Sequence, residues 1–104
     1  MPDDTRINDI QLLFPLGTCY LTPGINELIE QHQLPLPEFL YRHQTGDWSE
    51  MSAEDRAENQ LSIKEGYRIL SAFCFKPNAN VSIKIWVITE ADRSSTTVLL
   101  PSEY

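Results

Sequence analysis

His43, Glu90 and Arg93 are the side chains of this 104-residue chain whose types could together move protons at a phosphate. Glu90 would take the proton of a ribose 2′-hydroxyl, Arg93 would hold the charge developing on the phosphate, and His43 would protonate the leaving oxygen. Glu90 and Arg93 fall in Thr89-Glu90-Ala91-Asp92-Arg93-Ser94-Ser95-Thr96-Thr97, the most polar cluster between two apolar runs. A plain hairpin turn accounts for the same residues, with Asp92 and Arg93 pairing or capping and no chemistry. No residue spacing matches a metal site, an EF-hand loop or a phosphate-binding glycine loop, and no cofactor is expected.

Two other clusters suit binding rather than catalysis. In His43-Gln44-Thr45-Gly46-Asp47-Trp48, an exposed Trp48 beside His43 and Asp47 would make a recognition anchor, since tryptophan is favoured at interface hot spots. The competing assignment has Trp48 stapling its loop onto a sheet. Glu50, Glu54, Asp55, Glu58 and Glu65 gather in or beside one helical segment. A dense carboxylate face can imitate a phosphate backbone and engage another protein; otherwise it is a solvated helix face, interrupted by Arg56 and Lys64. His32 ends a helix, where a cation suits the dipole, and receives no chemistry. Cys19 and Cys74 lie in apolar segments and outside any C-x-x-C pattern. They are expected to be buried small hydrophobes, with a disulfide open to them only in an oxidising compartment.

The elements that must position these residues follow from period and punctuation. Residues 1–9, with Asp3, Asp4 and Asp9, read as a frayed acidic arm. Leu12 to Tyr20 reads as a short extended segment, broken at Pro15 and so suited to a sheet edge. Thr22-Pro23 starts a helix with a hydroxyl N-cap and proline at the first position, and the helix should stop before Pro35. Pro37 starts a second helix that ends at Thr45-Gly46-Asp47. Ser52 opens a third, whose thin buried stripe would be Ala53, Ala57, Leu61 and Ile63, with Gly66 closing it. From Tyr67 the period changes from about 3.6 to 2. Three apolar runs joined by Lys76–Asn80 and Glu90–Ser94 predict an antiparallel meander, with Val81, Ile83, Ile85 and Val87 on one face. The fold class is therefore α+β: an N-terminal edge strand, two to three helices, then a three-stranded meander packed on them. The helix-then-meander order is also similar to the small nuclease folds of the barnase and RelE kind.

Composition narrows the functional classes. Eight Lys and Arg against fifteen Asp and Glu give a net charge of −7, which opposes general binding to a phosphate backbone. The length suits one domain over residues 1–104. No apolar run reaches the length of a membrane span, so the expectation is a soluble cytoplasmic domain without a membrane partner.

His43-Gln44-Thr45-Gly46-Asp47-Trp48 with Ser52 to Asn59, and above all Ile85 to Tyr104, resemble a family of small bacterial proteins from plasmids and integrative elements. The resemblance spans roughly Gly17 to Tyr104. Some members carry the label of a type I restriction–modification modification subunit. A methyltransferase needs a glycine-rich nucleoside turn and an Asn-Pro-Pro-aromatic loop, and this chain has neither. The resemblance thus implies a mobile-element setting and no activity. The expectation is a non-enzymatic accessory or regulatory protein that binds another protein through Trp48, Glu50, Glu54, Asp55 and Glu58. The alternative is a small metal-independent ribonuclease-like domain using His43, Glu90 and Arg93.

Overall fold

Alternating side chains give three consecutive strands, β2 (Ile69–Asn78), β3 (Val81–Thr89) and β4 (Ser95–Leu99), which pair antiparallel as a meander. The computed structural model describes residues 12–104, so the acidic arm expected over residues 1–9 lies outside the described residues. A fourth strand, β1 (Thr18–Leu21), joins the sheet parallel to β4, giving the order β1-β4-β3-β2. The edge position matches the sequence expectation; the parallel pairing extends it. Gly17 makes that pairing reachable. It holds φ +67°, and a Cβ there would collide with the Ser94 carbonyl of the β3–β4 turn. The next residue then begins the ladder, Thr18 N–H donating to that same carbonyl at 3.0 Å.

Between β1 and β2 run three helices, α1 (Pro23–His32), α2 (Leu36–Thr45) and α3 (Ala53–Glu65). Ser52 caps α3 as its type predicts, accepting from the Asp55 N–H at 3.1 Å, and Gly66 ends it at φ +81°. Thr22 behaves differently from expectation. It occupies the N-cap position of α1 but makes no side-chain cap. Its hydroxyl instead donates to Glu103 Oε1 at 2.5 Å, and Glu103 Oε2 accepts from the Gly24 N–H at 2.8 Å. The carboxylate that caps α1 therefore comes from the 3-10 turn Pro101–Glu103 at the far end of the chain.

The inner face of the sheet carries the core. Ile69, Phe73, Ile85, Val87 and Val98 are buried against Ile25 and Leu28 of α1 and Phe39 of α2, closed by Phe14, Leu34 and Trp48. Of the predicted face, Ile85 and Val87 are buried, Ile83 is half-buried, and Val81 is exposed at the hairpin end. The helix α3 corrects its predicted stripe. Ala53, Ala57 and Leu61 are exposed, Ile63 is half-buried, and the buried residues are Asn59 and Ser62. The reason lies in its neighbour. α3 flanks β2, an edge strand, and an edge offers hydrogen-bonding groups rather than apolar side chains. Asn59 Nδ2 donates to Leu70 O at 2.8 Å, and its Oδ1 accepts from Leu70 N at 3.2 Å. One amide side chain thereby serves as a short stretch of neighbouring strand. No helix among the described residues is long and apolar enough to cross a membrane.

Candidate functional site

His43 follows Phe39 by one helical turn on α2, so both point into the core. His43 is fully buried, and both ring nitrogens are engaged: Nδ1 lies 2.5 Å from Ser71 Oγ and Nε2 lies 2.8 Å from Thr89 Oγ1. Ser71 also accepts from Trp48 Nε1 at 2.7 Å. Thr89 meets Thr96, its cross-strand partner, at 2.6 Å, and Thr96 donates to Leu16 O at 2.7 Å.

The proton positions in this chain follow from its ends. A carbonyl only accepts, so the Thr96 proton goes to Leu16. Thr89 must then donate to Thr96, which leaves His43 Nε2–H to donate to Thr89. Nδ1 of the neutral ring is consequently an acceptor for Ser71, whose own oxygen accepts from the donor-only indole of Trp48. One proton serves every link. A second proton on His43 would face Ser71 and leave its hydroxyl hydrogen without this acceptor. Burial lowers the His43 pKa to about 3, so the ring is neutral at ordinary pH. Among the described residues no buried side-chain nitrogen or oxygen lacks a partner.

The acid–base trio of the alternative reading is therefore engaged piecemeal. His43 is sealed in the core, with Phe14 edge-on at 5.0 Å between ring centroids. Arg93, at φ +62°, directs its guanidinium to the carbonyls of Ser62, Tyr67, Glu90 and Ala91, at 2.7 to 3.1 Å. It ties the β3–β4 turn to the C-terminal end of α3, where a cation complements the helix dipole. Glu90 pairs with Arg68 at 3.4 Å. Asp92 accepts from the Ser94 side chain and N–H, and these bonds hold its carboxyl below the usual range. The polar stretch acts here as a braced hairpin turn.

Trp48 is also corrected: it is 3% exposed and staples its loop to Ser71, so it presents no surface anchor. Glu50 accepts from Cys74 N at 2.9 Å on the β2 edge, while Arg42 reaches both Asp47 and Glu50 and stacks over Phe73. Glu54, Asp55 and Glu58 are exposed along α3. The expectation of two buried cysteines fails as well, since Cys19 is exposed and Cys74 half-buried. They sit on opposite edge strands, three interstrand spacings or about 14 Å apart, beyond the reach of a disulfide.

The surface feature that sequence periodicity did not disclose is a groove of about 450 Å³ between α3 and the outer face of the sheet. Asp55 and Glu58 line it from α3, Leu70, Ala72 and Trp86 form its floor from the outer face of the sheet, and Arg68, just before β2, and Lys84 on β3 lie towards its two ends. The alternation that buried Ile85 and Val87 placed Lys84 and Trp86 outward, so the floor was visible in the sequence. The standing-off of α3 was not, because it depends on Asn59 finding the β2 edge. Among the described residues no group of three His, Cys, Asp or Glu side chains is placed to hold a metal ion. No protein-family model, curated protein or solved structure matches the chain.

Proposed function

We propose that this protein is a non-enzymatic accessory or regulatory protein that binds another protein, with the carboxylates of α3 as its contact face. The observation that supports this is how α3 spends its residues. Its buried anchors are polar, Asn59 and Ser62, while Glu54, Asp55 and Glu58 stand exposed with no side-chain partner among the described residues. Helical residues that neither pack nor pair intramolecularly are available to a partner, and a concentrated negative face steers a basic one. The resemblance of Ile85 to Tyr104 to proteins of plasmids and integrative elements supports a bacterial mobile-element setting as part of this reading. Trp48 has no part in the contact.

The test is surface plasmon resonance against a partner recovered from the native host, at two salt concentrations. Reversal at Glu54 and Glu58, four residues apart on one helical face, should slow association about tenfold with little change in dissociation. An association rate indifferent to both salt and reversal would remove α3 from the contact. The ribonuclease alternative requires His43, Glu90 and Arg93 to leave their present partners. Cleavage of single-stranded RNA in EDTA, slowed by Glu90→Ala, would restore it.

A further inference from the structure

We propose that the groove between α3 and the outer face of the sheet is a docking site for a short peptide segment in which an apolar residue stands between a basic and an acidic one. This rests on α3 being the contact face and adds the chemistry of what it receives.

Charge is divided across the groove. Asp55 and Glu58 line it from α3 and Lys84 from β3, one strand beyond β2, while Arg68 lies at the other end of the groove, just before β2. Arg68 is already held by Glu90 and by the Tyr104 hydroxyl at 2.8 Å, so of the two cations lining the groove Lys84 is the one without an ion pair among the described residues. Leu70, Ala72 and Trp86 lie between the two charged sides and suit an apolar side chain. Trp86 is braced edge-on by Tyr104 at 5.7 Å, which makes the floor preformed. A ligand that satisfies all three zones carries a cation towards α3, an apolar group at the centre and an anion towards Lys84.

The β2 edge favours a peptide over a free amino acid. Leu70 directs its N–H and C=O outward to Asn59, and Cys74 directs its N–H outward to Glu50. By the two-residue period of a strand, the N–H and C=O of Ala72 face the same edge between those clamps. No protein group among the described residues meets them. One donor and one acceptor match one residue of a peptide backbone. Asn59 and Glu50 on either side stop a longer strand from adding along the edge, so the segment must cross the edge rather than extend it.

The experiment is ¹⁵N-resolved NMR titration of the full chain with pentapeptides blocked at both ends. Gly-Lys-Leu-Glu-Gly should produce saturable shifts at the Ala72 amide and the Trp86 indole N–H. Gly-Lys-Ser-Glu-Gly should bind about tenfold more weakly, having lost the apolar group. Gly-Glu-Leu-Glu-Gly should bind about fivefold more weakly, and Glu58→Lys, at an exposed position, should reverse that order. Equal binding of all three peptides overturns the proposal. So does the absence of saturable shifts up to about 10 mM, where even a millimolar complex would be mostly formed. Free leucine that shifts the same two signals as strongly also overturns it, in favour of a small-zwitterion site. Shifts confined to the Glu54, Asp55 and Glu58 amides overturn the groove while leaving the α3 contact face standing.

Discussion

Trp48 and His43 meet on one hydroxyl: Ser71 Oγ accepts from the indole at 2.7 Å and lies 2.5 Å from the imidazole Nδ1. A loop, a helix and the central sheet are thus joined through a single oxygen on the inner face of β2. Each such bond contributes about 1 kcal/mol net when made, but leaving a buried partner unsatisfied costs about 1–3 kcal/mol. Ser71→Ala deprives both Trp48 and His43 at once. It should lower the unfolding free energy by about 2–4 kcal/mol in urea titration, with a neutral result removing the network from the stability of the fold.

His43 makes stability depend on pH in a definite direction. Its folded pKa is lowered by burial to about 3 from the usual 6.5. Below pH 6.5 the unfolded chain takes up a proton that the folded chain refuses. Stability should therefore fall by about 1.4 kcal/mol per pH unit as the pH drops from 6.5 towards about 3, and this component should be flat above 6.5. Urea midpoints at pH 7.5, 6.5 and 5.5 check it, and long-range ¹H–¹⁵N spectra should show the proton on Nε2 at neutral pH.

Asn59 protects an edge. Replacing it with Ala strips Leu70 of its two side-chain hydrogen bonds and should cost about 1–2 kcal/mol, because both backbone groups can turn to water. The bared β2 edge should also promote association between copies. Sedimentation velocity would show a concentration-dependent larger species for Asn59→Ala that the parent chain lacks; identical profiles for the two would mean that Glu50 alone guards the edge.

Glu103 links the C-terminal turn to α1. Burial raises its pKa somewhat, but hydrogen bonds from Thr22 and from the Leu100 and Gly24 N–H groups outweigh that and hold it below the usual range. Its stabilisation is present above the ordinary carboxylate pKa and disappears as pH falls through the lowered one. Glu103→Ala should cost about 1 kcal/mol, as loss of an N-cap does, and speed amide exchange in the first turn of α1. Thr22→Val should reproduce part of the loss.

The sheet core offers a paired comparison. Ile85→Ala, at a fully buried site, should cost about 2–5 kcal/mol, whereas Leu61→Ala on the exposed side of α3 should stay within about 0.5 kcal/mol. Similar costs at the two sites would mean that α3 packs through its apolar side after all.

Local regularities were legible from residue types alone. Period-two alternation from Ile69 onward announced the meander and its buried Ile85 face, because side-chain direction in a strand repeats every two residues. Ser52 and Gly66 marked the bounds of α3, since caps act within one turn. Tertiary structure decided what crosses the chain. Thr22 reaches Glu103 over 81 residues and Thr96 reaches Leu16 over 80, distances at which no local period carries information. The same limit explains His43 and Trp48: their types permitted chemistry or recognition, and only the closing of α2 and its loop over the hydroxyls of Ser71, Thr89 and Thr96 turned them into buried members of one hydrogen-bonded chain. Polar residues on α3 likewise became its anchor because a strand edge, unlike a sheet face, is satisfied by an amide rather than by a methyl group.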